Sequence, residues 1–220
     1  MTKFSDYIRN IFFVLIILSI SPKLIETIKT EYFKNLEPHS KVGYIPIHDA
    51  ITSSKKTSKY LKEFFKDSDI KAILMEIDCP GGASGTSKAL FDEINTLKKE
   101  FPKPIIVYTE NVCASGGYYI ACATDCIVAS GCALIGSIGC FFANPFKLKE
   151  FINNYKVSYE PISSGKYKLA GDPFLAPTPE GKSYLQQVSD ATYEQFIKDV
   201  AAARKISSKP EDISKWADGK

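Results

Sequence analysis

The sequence predicts an α/β domain built of repeated βαβ units around a mainly parallel sheet. Three observations carry that reading. Short apolar runs, Val42–Ile47, "KAILMEID" and "PIIVYTE", have the length and character of buried strands. They alternate with segments of helical period. Two glycine-rich turns, "DCPGG" and "CASGG", each follow such a strand. Folds of this class gather their sites at the carboxyl ends of strands, so the two turns are placed to face each other at one sheet edge.

The elements follow in order. Residues 1–40 read as a signal anchor and linker, and residues 41–220 as the folded domain. The run "IFFVLIILSI" (Ile11–Ile20) carries no charge and follows Lys3 and Arg9. It is shorter than the roughly 20 apolar residues of a full span and has no small-x-small cleavage site after it. An uncleaved anchor helix is expected, with the basic end inside and the domain on the extracytoplasmic side of the membrane. The stretch 21–40 has mixed charge and reads as linker or exposed helix.

The domain opens with the strand Val42–Ile47. In "TSKYLKEFFKDSDI", Tyr60, Leu61, Phe64 and Phe65 fall on one side of a helix. "KAILMEID" is the next strand, and its continuous apolar character implies a sheet covered on both faces. After Pro-Gly-Gly, "TSKALFDEINTLKKEF" places Leu90, Phe91, Ile94 and Leu97 on one stripe, and Pro102 and Pro104 stop the helix. "PIIVYTE" is a strand. "NVCASGGYYIACATD" is a turn plus helix, "CIVAS" a strand, and "CALIGSIGC" follows it. "FKLKEFINNYKV" reads as a helix and "SYEPISS" as a strand. "GKYKLAGDPFLAPTPEG" is a long loop, and "KSYLQQVSDATYEQFIKDVAAARKI" an amphipathic helix.

Composition narrows the function classes. With 220 residues, 45% of them hydrophobic, the chain suits one domain with a real core. A formal net charge of +3, from scattered lysines, argues against nucleic acid as a partner. There are six cysteines and two histidines, with no C-x-x-C pair, so neither a zinc site nor any other metal or cofactor is expected. Cys122 and Cys126 would share a face if both lay on a helix. The cysteines read as small buried hydrophobes, with a disulfide left open should the domain lie outside the cytosol.

The chemistry centres on Ser115. The glycines after it let the backbone turn sharply and leave the hydroxyl uncrowded. If a helix starts there, its free N–H groups favour an anion above the serine. Acyl transfer builds a negative oxygen one bond from an attacking hydroxyl, so this turn can supply a nucleophile and part of an oxyanion cradle. "PGG" at Pro80–Gly82 offers a second N–H. The competing reading is an ordinary N-cap serine in an Ala-Ser-Gly-Gly turn. A serine nucleophile also needs a base. His39 lies in the linker and His48 at the end of the first strand, neither in a site-like turn. A lysine serves if it is neutral, which takes a poorly solvated cleft, since free lysine has a pKa near 10.4. Lys166 and Lys168, among Tyr167, Leu169, Ala170, Pro173 and Phe174, are the two candidates.

Four blocks in order, "DCPGG", "KPIIVYTENVCASGGYYIACATDCIVAS", "GSIG" and "SGKYKLAGDPF", resemble signal peptide peptidase A, the S49 family of serine–lysine peptidases, from about Val42 to Lys220. The resemblance implies a ClpP/crotonase-like fold and a Ser/Lys dyad. Ser115 matches the nucleophile and Lys168 the general base, with Lys166 as rival. Gly82 matches an oxyanion donor beside the Ser115 N–H. Gly81, Gly116, Gly136 and Ser137 fall in the substrate-binding turns. The family further implies peptide substrates such as residual signal peptides, membrane anchorage and a homo-oligomer, in some members with serine and lysine from neighbouring subunits.

Three departures stand out. Cys79 replaces the serine common before "PGG". Asp172 stands in "GDPF" where "GSPF" is frequent, and an acid beside Lys168 would hold that lysine protonated. The chain stops at "WADGK", where similar proteins continue, so its C-terminal end is expected to be truncated. The reading is a membrane-anchored serine endopeptidase. The alternative is an inactive scaffold of the same fold that binds peptides or membrane proteins. Acyl-CoA chemistry is a third reading, against which "CASGGYY" lacks carboxylates.

Overall fold

The computed structural model describes residues 11–12, 19, 22–23, 25–30, 40–142 and 146–219. The chain divides into two compact units, Met1–Lys41 and Val42–Lys220. In the first, residues 25–30 are helical, with Ile25 and Ile28 exposed. Most of the run Ile11–Ile20 lies outside the described residues, and the expected anchor helix falls there. Among the described residues no helix is long and apolar enough to cross a membrane.

The second unit follows the order β1 (Lys41–His48), α1 (Lys55–Lys66), β2 (Ile70–Asp78), α2 (Ser84–Glu100), β3 (Ile105–Thr109), β4 (Val112–Ala114), α3 (Gly116–Cys122), β5 (Cys126–Ala129), β6 (Leu134–Gly136), α4 (Lys149–Asn154), α5 (Pro179–Arg204) and α6 (Pro210–Trp216). The α/β class with a parallel sheet is therefore as the sequence reads. Four strands form one sheet in the order β1-β2-β3-β5, and β4 pairs with β6 in a second. β2 runs parallel to β3, with Ile73 opposite Ile105 and Met75 opposite Val107. β3 runs parallel to β5, and β4 to β6.

Period-two alternation decides which side chains enter the core. Ile45 and Ile47 of β1, Ile73, Met75 and Ile77 of β2, and Ile105 and Val107 of β3 are all buried. They join one cluster with Leu61 and Phe65 of α1, Leu90, Phe91, Ile94 and Leu97 of α2, and Ile120 of α3. α5 adds Phe196, Ile197 and Val200. The helical stripes anticipated on α1 and α2 are the ones that bury their leucines and phenylalanines.

The opposite face of the sheet departs from expectation. Val42, Tyr44, Ile106 and Val128 are exposed. Among the described residues the sheet is thus covered on one face rather than both. A run such as "AILM" reads as buried on both sides, but its alternate members face away from the helices.

Other differences have local causes. Residues 157–164 form no strand and are mostly exposed, with Pro161 interrupting any ladder. Cys122 ends α3 and Cys126 begins β5, so no helix carries both. Val112–Ala114 is a short strand before the turn rather than part of it. The helix α6 was not anticipated, although Pro210 at its start and Glu211 and Asp212 in its first turn are ordinary start signals. All six cysteines are free; Cys79, Cys113 and Cys122 are buried as small hydrophobes, whereas Cys126 and Cys132 are exposed.

The one-sided sheet makes a measurable contrast. Ile73→Ala should cost about 2–5 kcal/mol of unfolding free energy through lost burial and a residual cavity. Ile106→Ala should cost less than about 1 kcal/mol, as an exposed substitution does. Urea denaturation of the two variants reads both; equal losses would mean that the outer face is covered after all.

Candidate active site

Backbone pairing at the end of the sheet builds the site. Past Asp78, β2 continues as an isolated parallel bridge between Cys79 and Cys113. The Cys79 N–H donates to the Val112 carbonyl at 2.8 Å, and the Ala114 N–H to the Cys79 carbonyl at 3.0 Å. That pairing sets the turn Pro80–Gly82 beside the turn at Ser115. A β-carbon on Gly81 would lie 2.7 Å from Ser115 Cβ and 3.0 Å from both Ser115 Oγ and the Gly116 nitrogen. One on Gly116 would lie 2.4 Å from Ser87 Oγ and 3.3 Å from the Gly82 nitrogen. The two glycine turns face each other at contact distance, as their common position after strands suggests.

Ser115 sits at φ 50°, ψ −120°, a conformation that a residue with a side chain rarely adopts. Such strain costs on the order of 1–3 kcal/mol and persists only where neighbours enforce it. Here the Ser115 N–H donates to the Gly136 carbonyl at 2.7 Å, and its carbonyl accepts the Tyr119 N–H at 2.9 Å. Its hydroxyl makes no capping bond to α3. The N-cap reading of this serine therefore has no hydrogen bond behind it.

The bond to Gly136 bears on the expected oxyanion pair. The Ser115 N–H is already engaged with β6 and is not available to a ligand. The neighbouring N–H of Gly116 has no hydrogen-bond partner among the described residues, and neither has that of Gly82. Ile51 bonds to the Gly81 carbonyl and to the Ala83 N–H, leaving the intervening Gly82 N–H directed away from it. The free donors beside Ser115 are thus Gly82 and Gly116. The helix α3 has only seven residues, so these act as individual N–H groups more than through a long dipole.

Gly136 and Ser137 continue the same surface, with φ values of 101° and 50°. Ile138 accepts the Gly219 N–H at 3.2 Å, and Cys140 accepts the Ser189 hydroxyl at 3.3 Å. The chain's last helices thus hold this segment in place. Cys79 acts as a small polar group, its Sγ lying 3.3 Å from the Gly81 nitrogen and 3.4 Å from the Gly81 carbonyl oxygen. Burial pushes the Cys113 and Cys122 thiols up to about 12, which keeps them protonated packing groups.

The candidate bases stand apart from the serine. His48 is half exposed and lies 3.3 Å from Glu76; His39 lies outside the described residues. Lys168 lies exposed in the turns that span residues 165–171. No hydrogen bond joins it to Ser115 within one chain. Lys166 sits over the Tyr167 ring at 5.2 Å. Asp172 forms no ion pair with Lys168: its carboxylate accepts the Tyr159 hydroxyl at 2.9 Å and the Phe174 N–H at 2.8 Å. The sequence-predicted residues Gly81, Gly82, Ser115, Gly116, Gly136 and Ser137 are brought together, and Lys168 is not shown to join them. Among the described residues no cluster of three or more His, Cys, Asp or Glu could hold a metal ion.

Two features were not anticipated. Ser87 of α2 is fully buried, and its Oγ fills the space beside Gly116 that a side chain there would need. A cavity of about 500 Å³ opens where Ser84, Gly85 and Lys88 of α2 face Tyr184, Val188 and Ala191 of α5, with Tyr119 in its wall. Lys88 is paired with Asp92 and Asp199, which raise its pKa against the opposing effect of burial, the largest single influence on it. It is therefore held charged and is no base.

Comparison with known proteins adds to this geometry. Residues 97–220, more than half of the chain, match Peptidase family S49. A Methanocaldococcus jannaschii protein that carries a protease name is 34% identical over 157 residues, which is 70% of this chain and 50% of that protein. The serine protease SPPA of Arabidopsis thaliana chloroplasts is 33% identical over 159 residues, 72% of this chain and 22% of that protein. The chain thus spans half or less of these relatives. Among solved structures, a ClpP1 mutant from Listeria monocytogenes matches at 15% identity with a TM-score of 0.44, over 80% of this chain and 78% of that one.

The close approach at Gly82 predicts its own test. A β-carbon there would stand 2.3 Å from the Ile51 carbonyl oxygen. Gly82→Ala should therefore destabilise the fold by at least about 2 kcal/mol, from overpacking and backbone strain together. Gly85→Ala, with open space around it, should be neutral or mildly stabilising. Thermal and urea melts of the two variants check this pair.

Proposed function

The chain belongs to peptidase family S49, and from that premise we propose that it is a serine endopeptidase in which Ser115 attacks a peptide carbonyl and Lys168 serves as general base. The observation that carries this reading is the unbonded Ser115 hydroxyl set against two partnerless N–H groups, those of Gly82 and Gly116.

The reaction follows from that arrangement. Lys168, as a neutral amine, takes the Ser115 proton while Oγ bonds to the scissile carbonyl carbon. The carbonyl electron pair moves onto its oxygen, which accepts hydrogen bonds from Gly82 and Gly116. One such donor is worth about 2.7–4 kcal/mol at the transition state. The C–N bond then breaks, and the Lys168 ammonium returns its proton to the departing amine. Water, deprotonated by Lys168, hydrolyses the acyl ester and frees Ser115.

A solvated lysine stays charged and cannot start this cycle. The Lys168 turn is exposed in one chain, so the proposal includes a homo-oligomer in which a neighbouring copy covers it and brings amine and hydroxyl together. Phe141, Phe146, Phe151, Tyr155 and Ile162, exposed between the serine and the lysine turn in sequence, favour such a covering. The fold type would be that of ClpP and crotonase. The substrate is an extended peptide with small or apolar residues at the cut, as in residual signal peptides, and the cavity beside Tyr119 and Val188 offers room for an apolar side chain. The uncharged run Ile11–Ile20 would anchor the protein, with the domain on the extracytoplasmic side. A scaffold that binds peptides without cutting them is the competing reading, favoured by the separate bonding of Ser115 and Lys168 in one chain.

Ser115→Ala and Lys168→Ala should each lower kcat/KM by at least about 10³-fold, as loss of a nucleophile or its base does, and should leave circular dichroism unchanged. A serine-reactive phosphonate should label the assembled wild type at Ser115 alone. If the dyad spans subunits, mixing the two inactive variants should restore part of the activity. An assembled wild type that neither cleaves peptides nor takes up the phosphonate would establish the scaffold instead.

A further inference from the structure

The turn that carries Lys168 holds an acid that ought to disable it. Residues 165–172 wind through successive short turns: the Lys168 N–H donates to Gly165, that of Ala170 to Tyr167, and that of Asp172 to Leu169. Lys168 and Asp172 thus stand about one turn apart, a spacing at which lysine and aspartate side chains reach each other. Yet they form no ion pair. Each carboxylate oxygen of Asp172 accepts a hydrogen bond, Oδ2 from the Tyr159 hydroxyl at 2.9 Å and Oδ1 from the Phe174 N–H at 2.8 Å. The Tyr159 ring also packs against Phe174, with centroids 5.4 Å apart.

We propose that Tyr159 is a positioning residue for the base: by holding the Asp172 carboxylate, its phenol keeps that acid from pairing with the Lys168 amine. This rests on the reading of Lys168 as general base. An acid salt-bridged to a lysine favours the ammonium, and an ammonium cannot accept the serine proton. The bond works in the matching sense on the phenol. Hydrogen bonding to Asp172 raises the Tyr159 pKa, so the phenol keeps the proton with which it holds the carboxylate.

Other charged or titratable groups lie on the segments touching this turn, Lys147 and Lys149 among them, on either side of Leu148, whose N–H donates to the Pro173 carbonyl at 2.7 Å. Lys166 and Tyr167 lie on the turn itself. Tyr167 stacks on Tyr184 of α5 at 4.7 Å. Glu180 and Lys182 flank Gly181, which abuts Ala170, and Glu160 follows Tyr159 in the chain. None of these changes in the variants below.

The test uses the full chain, with Tyr159→Phe, Asp172→Asn and the double variant. Acylation of Lys168 by a reagent that attacks neutral amines, followed by peptide mass spectrometry with the exposed Lys55 as internal reference, reads the amine without any need for cleavage. Tyr159→Phe should slow Lys168 labelling about three- to tenfold, the range expected when a partly solvated lysine gains an acidic partner. It should also move the acid limb of the kcat/KM profile to higher pH. Adding Asp172→Asn should return both to the wild-type values. A merely structural role for Tyr159 would lower activity at every pH without moving the limb. Unchanged labelling in Tyr159→Phe, or failure of the double variant to restore it, overturns the proposal. The loss of cleavage in Lys168→Ala separately tests whether Lys168 is the base.

Discussion

The site depends on a pair of backbone hydrogen bonds, Cys79 N–H to Val112 and Ala114 N–H to Cys79. They zip the end of β2 to β4, and so set one glycine turn against another. Without that zipper, Gly82 and Ser115 would lie on separate loops with no reason to converge. With it, the Gly81 backbone comes so close to Ser115 that no β-carbon fits between them. The glycines are required both by this approach and by the turn itself, where Gly81 and Gly82 take φ values of 115° and 151°. The same crowding explains the buried Ser87, a side chain small enough to sit beside Gly116 while its hydroxyl bonds the Ala83 carbonyl.

A second constraint acts on Ser115. Its N–H bonds to Gly136 and its carbonyl to Tyr119, which together hold it at positive φ. The strain is local, and the support comes from β6 and α3. One consequence is chemical: the amide of the serine is used for structure, and the next amide, at Gly116, remains free. The N–H groups left free at this turn are therefore those of Gly82 and Gly116. In the proposed reaction the Lys168 amine is the remaining requirement. The Lys168 turn is held on α5 by the Tyr167–Tyr184 stack and by Ala170 against Gly181, while the Tyr159 hydroxyl bonds the Asp172 carboxylate on that turn.

Much of this was legible in the sequence because it is local. The helical stripes of α1 and α2, the strands at Ile70–Asp78 and Ile105–Thr109, and the two Gly-rich turns after them all follow from spacing and turn chemistry. What stayed hidden depends on pairing at a distance. Whether Ser115 or Gly116 offers the free N–H is decided by a bond to β6, a strand farther along the chain. That Asp172 bonds the Tyr159 hydroxyl rather than Lys168 depends on a segment whose residues read as a strand and form none. The bare outer face of the sheet was hidden for another reason. Ile106 and Val128 are as apolar as their buried neighbours, and a continuous apolar run carries no mark of which side the helices take.

The most direct measurement is a crystal structure of the protein after reaction with a peptidyl phosphonate. The account predicts phosphorus bonded to Ser115 Oγ, with a phosphonyl oxygen about 2.7–3.1 Å from the nitrogens of both Gly82 and Gly116. An adduct whose oxygen points into solvent or meets neither amide, or phosphorus attached to another residue, would contradict it.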